Sequence, residues 1–301
     1  MIIKESDYEV IIVGGSYAGL SAAMTLGRAV RRVLIIDSGK PCNRQTLHSH
    51  NFITHDGNPP AVIAEQAKAQ VLDYPTVTFQ TDRVTTVEGS EGNFTIRTES
   101  DNIYSARRLL FTTGIEDIMP DIPGFAECWG ISVIHCPYCH GYEVKEKNTG
   151  ILTNGEIAYE FARLIRHWTS QVTIFSNGPV TFDREEVERL EVSIVDDRVQ
   201  EIVHNEGHLS YLIGSSGHQY QLDALYARPA FRQHCPIPEQ LGCQLTEAGH
   251  IEVDGFQKTS VPGIYAAGDS TDPFRAVSMA TAAGTRAGAF INHEFIQEEE
   301  L

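Results

Sequence analysis

The chain has no second Cys-x-x-Cys. Cys136 and Cys139 stand three apart, while Cys42, Cys128, Cys235 and Cys243 each stand alone. A structural zinc site needs two further ligands at matching spacing. The pair is therefore read as redox-active, and no metal is expected. Six cysteines in 301 residues also fall short of the disulfide framework of a small secreted domain. Basic charge is scarce: 23 lysines and arginines face 40 aspartates and glutamates, giving a net charge of −17. That balance argues against nucleic acid and anionic membrane as partners, since both are polyanions. No run approaches the ~18 apolar residues of a membrane span. The first ten residues lack an apolar core behind a basic stretch, so no secretory signal is read and a cytoplasmic location is expected. Short-period repeats and low-complexity linkers are missing too.

What is present points to redox chemistry on a nucleotide-binding scaffold. Hydrophobic residues make up 42% of the chain, enough for the cores of about two domains. Tyr8 to Val13 reads as a buried parallel strand from its β-branched apolar run. Gly14-Gly15-Ser16-Tyr17-Ala18-Gly19 follows, then a helix to about Arg28, then a strand from Arg32 ending in Asp37. This is the βαβ dinucleotide pattern. Gly14 makes the tight turn, Gly19 lets helix pack on strand, and the helix start receives a pyrophosphate. Asp37 is placed to accept the ribose hydroxyls. Ser16 stands where the middle glycine belongs and adds a Cβ there.

Three further segments organise the chain. Arg108 to Ile115 is a strand running into a Gly turn. Gly150 to Ala158 starts a second βαβ candidate, with a helix to about Trp168 and a strand over Gln171 to Phe175. Thr259 to Asp269 ends in Ala-Ala-Gly-Asp, and a helix is expected from about Ser278 to Phe290. The Glu298-Glu299-Glu300 tail reads as a solvated end. Cys136-Pro137-Tyr138-Cys139 can close and reopen a small disulfide. Pro137 suits the first turn of a helix, and a helix start supplies thiolate by lowering a thiol pKa. A glutaredoxin-like loop also carries Cys-Pro-Tyr-Cys, but near the start of a small domain rather than at position 136.

The order of these motifs resembles the low-molecular-weight thioredoxin reductase family, over nearly the whole chain. The resemblance implies an α/β protein of two Rossmann-like nucleotide-binding domains, each a three-layer ββα unit, the second inserted into the first. Residues 1–116 and 239–301 would bind FAD, and 117–238 would carry the redox cysteines. By matching motif, Gly14, Gly15, Ser16, Ala18 and Gly19 would line the pyrophosphate of FAD, and Asp37 its ribose. Asn51 of His50-Asn51-Phe52, Val84, Thr113, Gly114, Gly268 and Asp269 would be further FAD contacts. Arg275, Ala276 and Val277 would stand by the isoalloxazine edge, where the following helix offers its positive end. The resemblance also implies a homodimer.

Two departures refine the expectation. The second turn reads Thr153, Asn154, Gly155, Glu156, Ile157, Ala158, without its tight-turn glycine. After the next strand, Phe175-Ser176-Asn177-Gly178-Pro179 offers neither the arginines of an NADPH site nor the acid of an NAD site; Arg184 is a remote substitute. Cys139 is followed by His140-Gly141-Tyr142-Glu143 where thioredoxin reductases usually carry Asp. Cys-x-x-Cys-His-Gly-Tyr-Glu and the His-rich stretch 47–57 resemble the gliotoxin- and holomycin-type dithiol oxidase branch. That resemblance implies a small dithiol as substrate, with Cys136 exchanging with it, Cys139 facing the flavin and His140 taking a proton. His48, His50 and His55 read as polar loop residues near the flavin, and His135 as structural. An NADPH-dependent thioredoxin reductase, or a relay with thioredoxin or ferredoxin as partner, stays open.

Overall fold

The computed structural model describes residues 7–299, which form two compact units. One holds the residues up to Arg44, Ala61–Glu116 and those from Phe231 onward; the other holds Gln45–Pro60 and Asp117–Ala230.

In the first unit the apolar run does make a buried parallel strand, β1 (Tyr8–Val13), with Val10, Ile11 and Ile12 wholly buried. It is followed by α1 (Tyr17–Arg28), β2 (Val33–Asp37), α2 (Pro60–Leu72) and β3 (Val77–Thr81). Then come β4 (Val84–Ser90), β5 (Asn93–Thr98) and β6 (Ile103–Phe111). β3, β2, β1 and β6 lie side by side in parallel. The first half of β6 also pairs antiparallel with β5, and β5 with β4. β4 and β5 escaped the sequence reading because each buries only one face, with Val84, Val87, Phe94 and Ile96 in the core, and so carries no long apolar run.

β7 (Ile115–Asp117) ends this part of the chain. The second unit then runs α3 (Phe125–Cys128), β8 (Val133–Ile134), α4 (Pro137–His140), β9 (Thr149–Leu152), α5 (Ile157–Ile165), β10 (Val172–Phe175), α6 (Arg184–Glu188) and β11 (Ser193–Val195). It continues with β12 (Val199–Asn205), β13 (His208–Gly214), β14 (Gln219–Gln221) and β15 (Ala224–Ala227). A parallel sheet runs β11-β10-β9-β15-β8, and β12, β13 and β14 form a separate antiparallel sheet. β9, α5 and β10 are the second βαβ that the sequence announced.

Back in the first unit, β16 (Phe231–Gln233) pairs with β7, and α7 (Ile237–Gln240) and β17 (Ile264–Ala266) lead to α8 (Val277–Glu299). β17 joins the outer half of β6. α8 lies against α1 because Gly284 and Gly288 carry no side chain; a Cβ on Gly284 would stand 2.0 Å from the Ala18 carbonyl oxygen. α8 extends well past Phe290, which corrects the reading of the acidic tail. Glu298 pairs with Arg107 at 2.6 Å and with the buried Arg108, and Glu299 pairs with Arg31 at 2.6 Å. These acids dock the last turns of α8; Glu300 lies outside the described residues.

Candidate active site

The turn after β1 is built from close approaches that only glycine permits. Gly14 has φ +106°, and a Cβ there would stand 2.5 Å from the Thr112 carbonyl oxygen. A Cβ on Gly19 would stand 2.0 Å from the Gly14 carbonyl oxygen. Thr112, which the sequence reading passed over, fixes the turn by donating its hydroxyl to the Gly14 carbonyl at 2.7 Å. Asp37 reaches back from the end of β2 and accepts from the Gly15 and Gly39 amides at 2.6 and 2.7 Å.

Several expected residues converge here. Ser16 caps α1 through its backbone without using its hydroxyl. Ala267 bonds to Phe111 at 3.0 Å, which carries Gly268 beside Ala18 and brings Asp269 to the same end of the sheet. Asp269 lies 3.9 Å from the Arg275 guanidinium and 3.7 Å from the Cys42 sulfur. Thr113 and Gly114 follow β6, and the buried Thr113 hydroxyl has no hydrogen-bond partner. Arg275 and Ala276 lead into α8, which Val277 starts. Val84 starts β4, and its side chain is in the core with Val13. Asn51 belongs to residues 45–60, grouped with the second unit.

These features fit FAD. The side-chain-free turn lets a pyrophosphate reach the amides at the start of α1, the Asp37 oxygens keep lone pairs for hydroxyls, and Thr113 holds an unspent hydroxyl.

The corresponding turn after β9 is built differently. Asn154 Oδ1 accepts from the Gly155 amide and from the Thr181 amide and hydroxyl, all at 2.9 Å. Its Nδ2 donates to the carbonyls of Ser176 and Pro179 at 3.2 and 2.9 Å. One side chain thus ties the β9–α5 turn to the segment after β10. A dinucleotide would have to pass between these two stretches. Arg184 pairs with Asp196 at 3.1 Å. Arg198, which the sequence reading did not weigh, places its Nε 3.9 Å from where a Cβ on Gly178 would stand.

The redox pair is also in the second unit. β8 delivers Cys136 as the cap of α4, with Pro137 at its first position. The Cys139 thiol donates to the Cys136 sulfur at 2.6 Å. This bond, with the Cys139 and Tyr138 amides and the distant Arg228 charge, outweighs burial and pulls the Cys136 thiol down to about 7. Arg228 is held over the Phe161 ring at 4.2 Å. Tyr226, in register with Ile134, is buried with no partner for its hydroxyl, and burial raises its pKa.

His140 has both ring nitrogens buried without a hydrogen bond of ordinary geometry. Burial lowers its pKa, with His50 adding to the lowering, while the Glu143 carboxylate and the Cys136 carbonyl pull the other way; the neutral ring is favoured. His135 stacks on Trp129, with ring centroids 5.8 Å apart. Tyr138 and Tyr142 stand exposed beside the pair.

The model of the family described as pyridine nucleotide-disulphide oxidoreductase matches residues 8–287. The thioredoxin reductase sirT of Leptosphaeria maculans is 29% identical, with 96% of this chain and 94% of that protein covered. Two crystal structures share the fold. An oxidoreductase from Agrobacterium tumefaciens is 34% identical, with a TM-score of 0.90 over 96% of this chain and 98% of that one. HlmI is 32% identical, with a TM-score of 0.92 over 97% of this chain and 93% of that one.

Proposed function

The chain belongs to the pyridine nucleotide-disulphide oxidoreductase family and is an FAD-binding oxidoreductase, and from there we propose that it oxidises a dithiol through Cys136 and Cys139 without a nicotinamide donor. The observation that carries this reading is the Asn154 side chain, which closes the second nucleotide turn with five hydrogen bonds to its own chain.

FAD would be held by Gly14, Gly15, Ser16, Ala18, Gly19, Asp37, Thr113, Gly114, Gly268 and Asp269, with Asn51, Val84, Arg275, Ala276 and Val277 as further contacts. Bound there, it supplies a two-electron acceptor for the cysteine pair. Cys136, whose thiol is pulled down to about 7, exchanges with the substrate as thiolate, the form that acts as nucleophile and leaving group. Cys139 donates to it and closes the disulfide. His140 takes the thiol proton. The substrate is a small dithiol or a thioredoxin-like protein, and the enzyme works as a cytoplasmic homodimer.

Cys136→Ser should keep its FAD and lose dithiol turnover. Cys139→Ser should keep FAD that no dithiol can reduce. Wild-type turnover by either variant would remove the pair from the mechanism.

A second reading, an NADPH-dependent thioredoxin reductase, is favoured by two observations. Arg198 brings a guanidinium beside Gly178, and the sirT relative carries the name thioredoxin reductase. If NADPH reduces the flavin, Arg198→Ala should raise the NADPH concentration needed by about tenfold, the scale of one charged contact.

A further inference from the structure

The segment 45–60 contains a tightly closed loop whose only role in the site so far is the Asn51 contact to FAD. Ser49 and Asn58 form an antiparallel bridge, with the Ser49 amide donating to the Asn58 carbonyl at 2.9 Å. The Gly57 amide returns to the Ser49 carbonyl at 2.8 Å, and the His48 ring bonds the Gly57 carbonyl at 2.9 Å. The Asn51 amide donates to Asp56 at 2.8 Å. Within this closure Asn51 and Thr54 adopt left-handed backbone, φ +59° and +71°. Asparagine visits this region readily, but a β-branched residue such as Thr54 holds it at a cost of about 1–2 kcal/mol, and only where its surroundings enforce it.

The loop fixes the position of one side chain, His50. Its Nε2 lies 3.5 Å from the Glu143 carboxylate, and its Nδ1 lies 3.6 Å from Asp56. Glu143 follows His140 by one helical turn's spacing, and its charge acts on the His140 ring. The line starts buried and ends in water: the His140 ring nitrogens are buried, Glu143 is 41% exposed, the His50 side chain 22% and Asp56 68%. The groups facing His50 are therefore Glu143, Asp56 and the rings of His140 and His48, the last 6.5 Å away. His50 thus lies between two carboxylates, one on the redox side and one toward water.

Resting on the dithiol reading above, the chemistry requires such an exit. When a dithiol is oxidised, an S–S bond forms in the product and the Cys136–Cys139 bond breaks, then re-forms as the pair gives up its electrons. Two electrons and two protons leave the dithiol. FAD, when bound, would take up both electrons and one proton, which leaves the second proton to pass from the half-buried cysteine pair to water.

We propose that His50 is a positioning residue for this reaction: with Glu143 it carries the proton accepted by His140 past Asp56 to water. This gives the closed loop and the Glu143 side chain a joint purpose.

The test is single-turnover reduction of the FAD-loaded protein by dithiothreitol, without oxygen and at low buffer concentration. Proton release is followed with an indicator dye. His50→Gln and Glu143→Gln should keep the flavin spectrum, slow reduction by about tenfold to a hundredfold, the scale of a positioned proton carrier, and delay proton release equally. Added imidazole should restore the rate in both, and Glu143→Asp should be the milder variant. Unchanged rates in both Gln variants, or a slowing that imidazole does not relieve, would overturn the relay while leaving dithiol oxidation intact. A wild-type flavin that dithiothreitol cannot reduce would overturn the dithiol reading, and the relay with it.

Discussion

The two nucleotide turns share one plan, strand, turn, helix, strand, and differ in what fills the bend. In the first, backbone packs on backbone, braced by the Thr112 hydroxyl and the Asp37 carboxylate; Gly14 and Gly19 leave no room even for a methyl group. In the second, Thr153 takes the tight-turn position and Asn154 spends its whole side-chain hydrogen-bonding capacity on the protein itself. An unoccupied set of amides invites a phosphate. A turn whose polar groups are already paired gains little from one, because every new bond replaces an old one. On the proposed reading, the same fold holds a nucleotide in one unit and supports only a redox loop in the other.

The sharpest way to break this comparison is to add one methyl group to each turn. Gly19→Ala should leave the protein colourless. Overpacking costs about 1–3 kcal/mol where neighbours can shift, and here the neighbour is the Gly14 backbone, 2.0 Å from the new atom. Gly155→Ala, at φ +77° with nothing within 4 Å, should lower stability by only about 1–2 kcal/mol and keep FAD. Flavin absorbance after purification, with circular dichroism to check folding, reads both. Equal losses would mean that the two turns are not functionally distinct.

The next effect concerns Asp37. Asp37→Asn keeps the shape but removes the charge that accepts the Gly15 and Gly39 amides. FAD should bind about tenfold to a hundredfold more weakly, the equivalent of about 1.5–3 kcal/mol. Titration of the FAD-free protein by fluorescence quenching measures this.

A smaller effect is a shift in pH. In the reduced protein, alkylation of Cys136 by iodoacetamide should rise with a midpoint near its pKa of about 7, well below the ordinary 9.0. Cys139→Ala removes the first cause of that shift and should move the midpoint upward. The sign also fixes stability. The thiolate's contribution is full above 9.0 and is lost as pH falls through about 7. A midpoint unmoved by Cys139→Ala would assign the acidity to the backbone amides instead.

The mildest is Asn154→Ala. Loss of the side chain should lower stability to chemical denaturation by about 1–3 kcal/mol, the cost of stranding its former partners, and leave the flavin spectrum unchanged. A gain in stability would contradict the latch.

Much of this was legible in the sequence, for definable reasons. β1, α1, β2, β9, α5 and β10 announce themselves because apolar runs, glycine turns and helical spacing are local signals. The cysteine pair and the Ala-Ala-Gly-Asp segment were visible as local motifs, and the family resemblance gave them roles. Three features were hidden because they depend on distant contacts. The tail glutamates read as solvated until Arg31, Arg107 and Arg108 are placed beneath them. Asn154 looks like an ordinary turn residue until Ser176, Pro179 and Thr181 fold onto it. His50 reads as a loop histidine because nothing in the spacing of residues 50 and 143 says that they meet at 3.5 Å. One local signal was available: Gly284 and Gly288, four apart on α8, mark a close helix approach.

The most direct measurement is anaerobic stopped-flow mixing of the oxidised, FAD-loaded protein with NADPH and, separately, with a dithiol. A closed second turn predicts rapid bleaching of the flavin by the dithiol and none at micromolar NADPH, followed by return of the yellow colour on admission of air. Rapid bleaching by micromolar NADPH would contradict it.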